Sequence, residues 1–224
     1  MPAADAPLPV ADQPASLPRQ RRKEARPAEL TAAALELFIT NGYAATRLED
    51  IAAHAGVSKG TLYLYFESKE ALFKAVIREG IVPVMAQGAE LIDGFSGCSA
   101  DLLRHLILAW WQRVGETALG GVPKLMMSEA GNFPEVAAYY AEAVITPGRD
   151  LLRRVLVRGL AQGEFRALDV ETAIDVIFAP VLMLLIWRHS MGACGCRMHE
   201  PQAFLATHLD LVLNGLAADI AATA

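Results

Sequence analysis

Two short stretches of the chain carry residues that could do chemistry. Gly56-Val57-Ser58-Lys59-Gly60 fits G-x-S-x-G, the pattern that lifts a nucleophilic serine onto the sharp strand-to-helix turn of an α/β-hydrolase. Cys194, Cys196 and His199 form C-x-C-x-x-H, whose thiolates and imidazole suit a soft metal and whose thiols suit oxidant sensing. Each reading depends on its surroundings. The serine needs a buried strand before it and a sheet beneath it. The cysteine set matches none of the strong zinc spacings, and cysteine is more often a small, inert, buried group. With Cys98 the chain has three cysteines, so no even disulfide framework is expected and a reducing, intracellular compartment fits better.

The elements that must position Ser58 read as helices. "PAELTAAALELFITNG" opens with Pro27, which suits a first helical turn. Leu30, Ala34, Leu37 and Phe38 recur there at helical spacing, and Asn41-Gly42 ends the helix. In "TRLEDIAAHAG", Thr46 and Glu49 fit the capping box T-x-x-E, Leu48, Ile51 and Ala52 form one face, and Gly56 is the stop. Ser58 then has an ordinary role as N-cap of "KGTLYLYF". Ser68 caps the next helix, which Pro83 should kink near Gly80. No alternating strand pattern occurs anywhere. A helix before Ser58 and the want of a sheet remove the elbow reading. No other catalytic constellation is convincing, so the chain is not expected to be an enzyme. Two short helices joined by a glycine-containing turn form instead a helix-turn-helix, whose second helix enters the major groove of DNA.

The segment 41–76, "NGYAATRLEDIAAHAGVSKGTLYLYFESKEALFKAV", closely resembles the DNA-binding domain of the TetR family of transcription regulators. The specific part is the order G-Y, then I-A-x-x-A-G-V-S, then T-L-Y-x-Y-F, then S-K-E-x-L. By motif the resemblance spans residues 26–76; beyond them it rests on length and helix pattern. It implies an all-α protein: an N-terminal three-helix DNA-binding domain with a helix-turn-helix, and a C-terminal helical domain for ligand binding and dimerisation. It implies DNA contacts for Lys59, Gly60 and Thr61, which open the recognition helix, and for Tyr63 and Tyr65, whose hydroxyls reach phosphate. Lys69 resembles a phosphate clamp at a helix N-terminus. Leu62 and Phe66 resemble core positions. The family often has Ser or Thr where Arg47 stands; here Thr46 caps one residue earlier, and Arg47 is free to reach phosphate as a cation.

Charge fits this division. The chain has a formal net charge of −5, yet residues 19–80 hold ten Lys/Arg against eight Asp/Glu, and "RQRRKEAR" has five basic residues against one acidic. A basic end on an acidic body is the end that meets phosphate. A composition 54% hydrophobic and 20% charged is that of a soluble globular protein. Residues 1–25 read as a disordered, partly basic tail without the order of a signal peptide. Residues 26–72 read as the DNA-binding domain and 73–220 as the ligand-binding and dimerisation domain. In the latter, a long helical segment from Pro134 is expected to be interrupted at Pro147-Gly148.

The most apolar run, 176–187, is twelve residues long, against the about 20 a bilayer needs, so no membrane association is expected. A helix apolar all round must be covered on every side. The resemblance implies the cover: the last two long helices of two subunits form a four-helix bundle, with Leu205, Leu209, Val212 and Leu216 as a matching stripe. It also implies an inducer cavity on the helices that carry Trp110, Trp111, Met126, Met127, Phe133, Tyr139, Tyr140, Phe178 and Met183, with His105, Arg113 and Glu142 as polar groups. Plain core would produce the same apolar spacing. The expected function is a ligand-responsive repressor: a cytoplasmic homodimer, without cofactor, released from a palindromic DNA operator by a small apolar effector. The alternatives are a redox- or metal-sensing regulator using Cys194 and Cys196, and a sequence-tolerant DNA-binding protein.

Overall fold

The computed structural model describes residues 19–191 and 200–218, with side chains from Arg26 onward. Its helices are α1 (Arg19–Asn41), α2 (Leu48–His54), α3 (Lys59–Tyr63), α4 (Lys69–Gly80), α5 (Val82–Gly94), α6 (Ser99–Trp110), α7 (Gly121–Glu129), α8 (Pro134–Tyr140), α9 (Thr146–Ala161), α10 (Val170–Ser190) and α11 (Pro201–Leu216). Among the described residues no strand forms, which bears out the all-α expectation.

Helix α1 begins at Arg19, so part of the expected tail is helical and Pro27 lies inside the helix, not at its start. The Arg, Lys, Glu and Ala before Pro27 are strong helix formers. They carry the helix past the one bond that proline cannot donate. Glycines in left-handed backbone end α1 and α2, at Gly42 (φ 87°) and Gly56 (φ 66°). Ser58 and Ser68 cap as expected, accepting the backbone N–H of Thr61 (3.1 Å) and Ala71 (3.0 Å).

Thr46 does not cap α2. Arg47 holds the N-cap position in extended backbone, without a side-chain cap bond. Thr46 is 1% exposed, and its hydroxyl sits 2.7 Å from the Gly42 carbonyl and 3.1 Å from that of Leu37. The end of α1 has carbonyls without helical partners, and Thr46 serves those.

The expected kink at Pro83 is a full break. Helix α4 ends at Gly80, Ile81 makes the joint, and Pro83 falls in the first turn of α5. A Cβ on Gly80 would lie 2.6 Å from Leu119 Cδ2, so glycine admits the turn after α6 against this joint. The interruption expected at Pro147-Gly148 does not occur. A π turn over Ala141–Ile145 joins α8 to α9 and leaves Pro147 in the first turn of α9, where its missing N–H costs least.

Two cores result. The first joins Leu30, Phe38, Ile51, Leu62, Leu72 and Phe73 to Val122, Leu125 and Met126 of α7 and Val136 of α8. Residue 72 therefore falls within α4 in the middle of one packed core. The second core gathers α6, α9, α10 and α11. Helix α10 runs 21 residues, longer than its most apolar stretch, and by length and hydropathy reaches what a bilayer span needs. Ile174, Ile177, Val181, Leu184 and Leu185 on it are instead buried in the second core.

Candidate DNA interface and effector cavity

Helices α2 and α3 and the turn between them present a set of exposed side chains. The Lys59 ammonium pairs with Glu49 of α2 and lies 5.7 Å from the centre of the Tyr63 ring. The pair holds the Lys59 pKa up and the Glu49 pKa down. The Thr61 hydroxyl is 2.9 Å from that of Ser58. Arg47 and Tyr63 are exposed and Tyr65 is half-buried against the first core. Gly60 has no steric reason to be glycine: an added Cβ would meet only Ser58 Oγ at 3.9 Å. A helical glycine costs ~0.5–1 kcal/mol against Ala, and what it provides here is bare backbone open to a close neighbour.

Two of the side chains expected to contact DNA are engaged within the protein. Thr46 is buried. Lys69 directs its three N–H donors at the carbonyls of Tyr43 (2.7 Å), Ala44 (3.1 Å) and Thr46 (3.1 Å), and lies 4.6 Å from the centre of the Tyr43 ring. Burial holds its pKa below the usual lysine value. In this arrangement Lys69 ties α4 to the α1–α2 turn. Leu64 is 81% exposed. It stands four residues after Gly60, on the same helical face.

A cavity of about 570 Å³ opens between α5, α6, α7, α8, α9 and α10. Trp110, Arg113, Met126, Met127, Tyr140 and Phe178 line it as expected, with Trp110 edge-on to Phe178 at 5.0 Å. The other candidates lie elsewhere. Trp111 is packed in the second core, and His105 turns back to the Asp101 carbonyl at 2.7 Å. Phe133 packs on Tyr43, and the Tyr139 hydroxyl reaches the Lys74 carbonyl at 3.4 Å. Glu142 is exposed, and Met183 is 52% exposed on the outer face of α10. Helical spacing shows which faces are apolar, not which apolar face is left unfilled. Sequence reasoning missed Gln87, Arg149 and Asp175 at this cavity. Arg149 is paired with Asp175 and with Glu171.

Cys194, Cys196 and His199 lie outside the described residues. Among those described, no group of three or more His, Cys, Asp or Glu is placed to hold a metal. Cys98 caps α6, accepting the Asp101 N–H at 3.4 Å.

Comparison with known proteins bears on this layout. Residues 30–76 match the family model of bacterial regulatory proteins of the tetR family, and residues 96–192 match the tetracyclin repressor-like C-terminal domain. The chain belongs to the TetR family. As a member of that family it is a DNA-binding transcription regulator. The HTH-type transcriptional repressor KstR2 of Rhodococcus jostii is 27% identical over 198 residues, covering 87% of this chain and 93% of that one. The regulator RutR of Escherichia coli is 49% identical, but over 61 residues, 27% of this chain and 29% of its own. The solved FadR of Bacillus subtilis, in complex with stearoyl-CoA, superposes with a TM-score of 0.71 at 24% identity, covering 84% of this chain and 98% of that one.

Proposed function

We propose that this TetR-family chain acts in the cytoplasm as a homodimeric repressor, held on a palindromic operator and released when an effector with a long apolar body fills the cavity. One observation carries this reading: a single segment, α7 with α8, borders both the cavity and the DNA-binding domain. Met126, Met127 and Tyr140 of this segment line the cavity. From the same segment, Glu129 accepts the Ala44 N–H at 3.3 Å, and Tyr139 holds the Lys74 carbonyl. A ligand that moves one side of this segment moves what holds the α1–α2 turn on the other. FadR, which binds stearoyl-CoA, supports a long apolar effector.

The homodimer is supported by what α10 leaves uncovered. Val176, Met183 and Trp187 are exposed along one side of α10, and Leu211 is exposed on α11. A second copy covers these faces by packing α10 and α11 against their equals. Two recognition helices then stand ~34–36 Å apart, one turn of DNA. Footprinting on an operator selected from random DNA, with sedimentation of the complex, tests this. The expected result is two protein chains on two half-sites one turn apart; one chain protecting a single half-site overturns it.

A further inference from the structure

The polar groups that line the cavity are unevenly matched. Its one carboxylate, on Asp175, is taken by Arg149. Three of the uncommitted groups offer donors, and Gln87 offers both a donor and an acceptor. Arg113 has no carboxylate partner among the described residues; its guanidinium makes one long bond, 3.4 Å, to the Ala109 carbonyl of its own helix. The Tyr140 hydroxyl and the Trp110 indole N–H have no hydrogen-bond partner among the described residues. Burial raises the Tyr140 pKa, so this hydroxyl keeps its proton at any physiological pH. Leu106, Trp110 and Arg113 recur at helical spacing along α6 and its continuation, so the guanidinium ends an apolar stripe that faces the cavity. Arg113 is exposed and Trp110 and Tyr140 are half-buried, so water reaches these donors in the open cavity and the acceptors of a ligand take its place on them.

We infer that the effector carries an acceptor-only, anionic head on its apolar body, and that Arg113 and Tyr140 bind this head while Trp110, Phe178 and the two methionines hold the body. This deepens the proposed function and rests on the cavity being the effector site. An Arg guanidinium offers a planar fork that matches a carboxylate or phosphate with two hydrogen bonds. The same chemistry serves the carboxylate of a free fatty acid and the phosphates of an acyl thioester of coenzyme A. A hydrocarbon leaves the three donors unpaired, and an alcohol or sterol offers them only one neutral hydroxyl oxygen, without the charge or the second acceptor that match the guanidinium fork.

Calorimetric titration of the dimeric protein, without DNA, with dodecanoate, methyl dodecanoate, dodecan-1-ol and dodecanoyl-CoA tests this. The wild type is expected to bind an anionic ligand about tenfold or more tighter than the alcohol and the ester. Arg113→Gln should bring them within about threefold of each other, and Tyr140→Phe should narrow the gap without closing it. If dodecanoate carries the preference, the head is a carboxylate; if only dodecanoyl-CoA carries it, the head is phosphate. Equal affinities across the series in the wild type overturn the inference without recourse to any variant. So does a preference that survives Arg113→Gln. Release of operator DNA is read separately: an anion preference without release leaves the head assignment standing and removes the repressor reading. Release by alcohol and acid alike removes only the head assignment.

Discussion

The ring of Phe133 stands edge-on to the ring of Tyr43, with centroids 4.7 Å apart and planes at 77°. Tyr43 lies in the turn after α1, and Phe133 immediately precedes α8, whose last residue, Tyr140, lines the cavity. The pair is a direct link from the effector domain to the DNA-binding domain. Phe133→Ala should leave affinity for an effector unchanged in the absence of DNA. It should reduce the coupling between effector and operator by ~0.5–2 kcal/mol, the size expected for a residue on such a path. Paired titrations with dodecanoyl-CoA, with and without operator, measure it. Intact coupling in this variant shows that the link runs elsewhere.

Lys69 offers a second test, because its two readings give opposite results. As a tie on three carbonyls, Lys69→Met should destabilise the fold by ~1–3 kcal/mol. The salt dependence of DNA binding should keep its slope. A phosphate contact predicts the reverse: unchanged melting, and a slope lower by ~1.

Glu49 pairs with Lys59, and on the proposed contact of Lys59 with phosphate it competes with DNA for the ammonium. Replacing it, Glu49→Gln, should free the ammonium for phosphate and tighten binding to all sequences alike. The gain should shrink as salt rises, since exposed charges are screened. Affinities measured for operator and unrelated DNA at low and high salt decide this. A gain confined to the operator contradicts it.

These tests also mark what was legible in the sequence. Ser58 and Ser68 were readable as caps because each partner N–H lies three residues on. The partners of Thr46 and Lys69 were not legible because they are carbonyls 4 to 26 residues back, in the end of α1 and the turn after it, which no capping pattern encodes. The cavity was legible by half for a related reason. Trp110 and Trp111 are adjacent on one helix, and periodicity does not show that the first faces a void and the second a packed core. Phe133 was placed at the cavity by what the resemblance implies, and its ring packs on Tyr43 instead.

Leu64 presents an exposed apolar side chain on the face shared with Gly60, and in the major groove the apolar feature is the thymine methyl. Replacing thymine by uracil, one position at a time in an operator half-site, should weaken wild-type binding at one position by several-fold. Leu64→Ala should bind weaker and lose that sensitivity. Sensitivity retained in the variant assigns the methyl contact to another residue.

His189 should make stability depend on pH. Its Nε2 is buried without a partner, and burial, with Arg188 and Lys124 adding to it, lowers the pKa from the usual 6.5. Above pH 6.5 the ring is neutral whether folded or unfolded. As pH falls through that value, the unfolded ring takes a proton that the folded ring resists, so stability falls. Denaturant melts at pH 7.5 and 5.5 should show a larger loss for wild type than for His189→Leu. Equal losses in both proteins remove His189 from this role.

The central claim is that occupancy of the cavity and occupancy of the operator oppose each other. The direct measurement is a closed cycle on the wild-type protein: affinity for the selected operator with and without saturating dodecanoyl-CoA, and affinity for dodecanoyl-CoA with and without operator. Coupling of this kind is reciprocal, with typical factors of about 5–150. The predicted result is that each ligand weakens the other by the same factor, within that range. Tight binding of both, with neither affected by the other, contradicts the account.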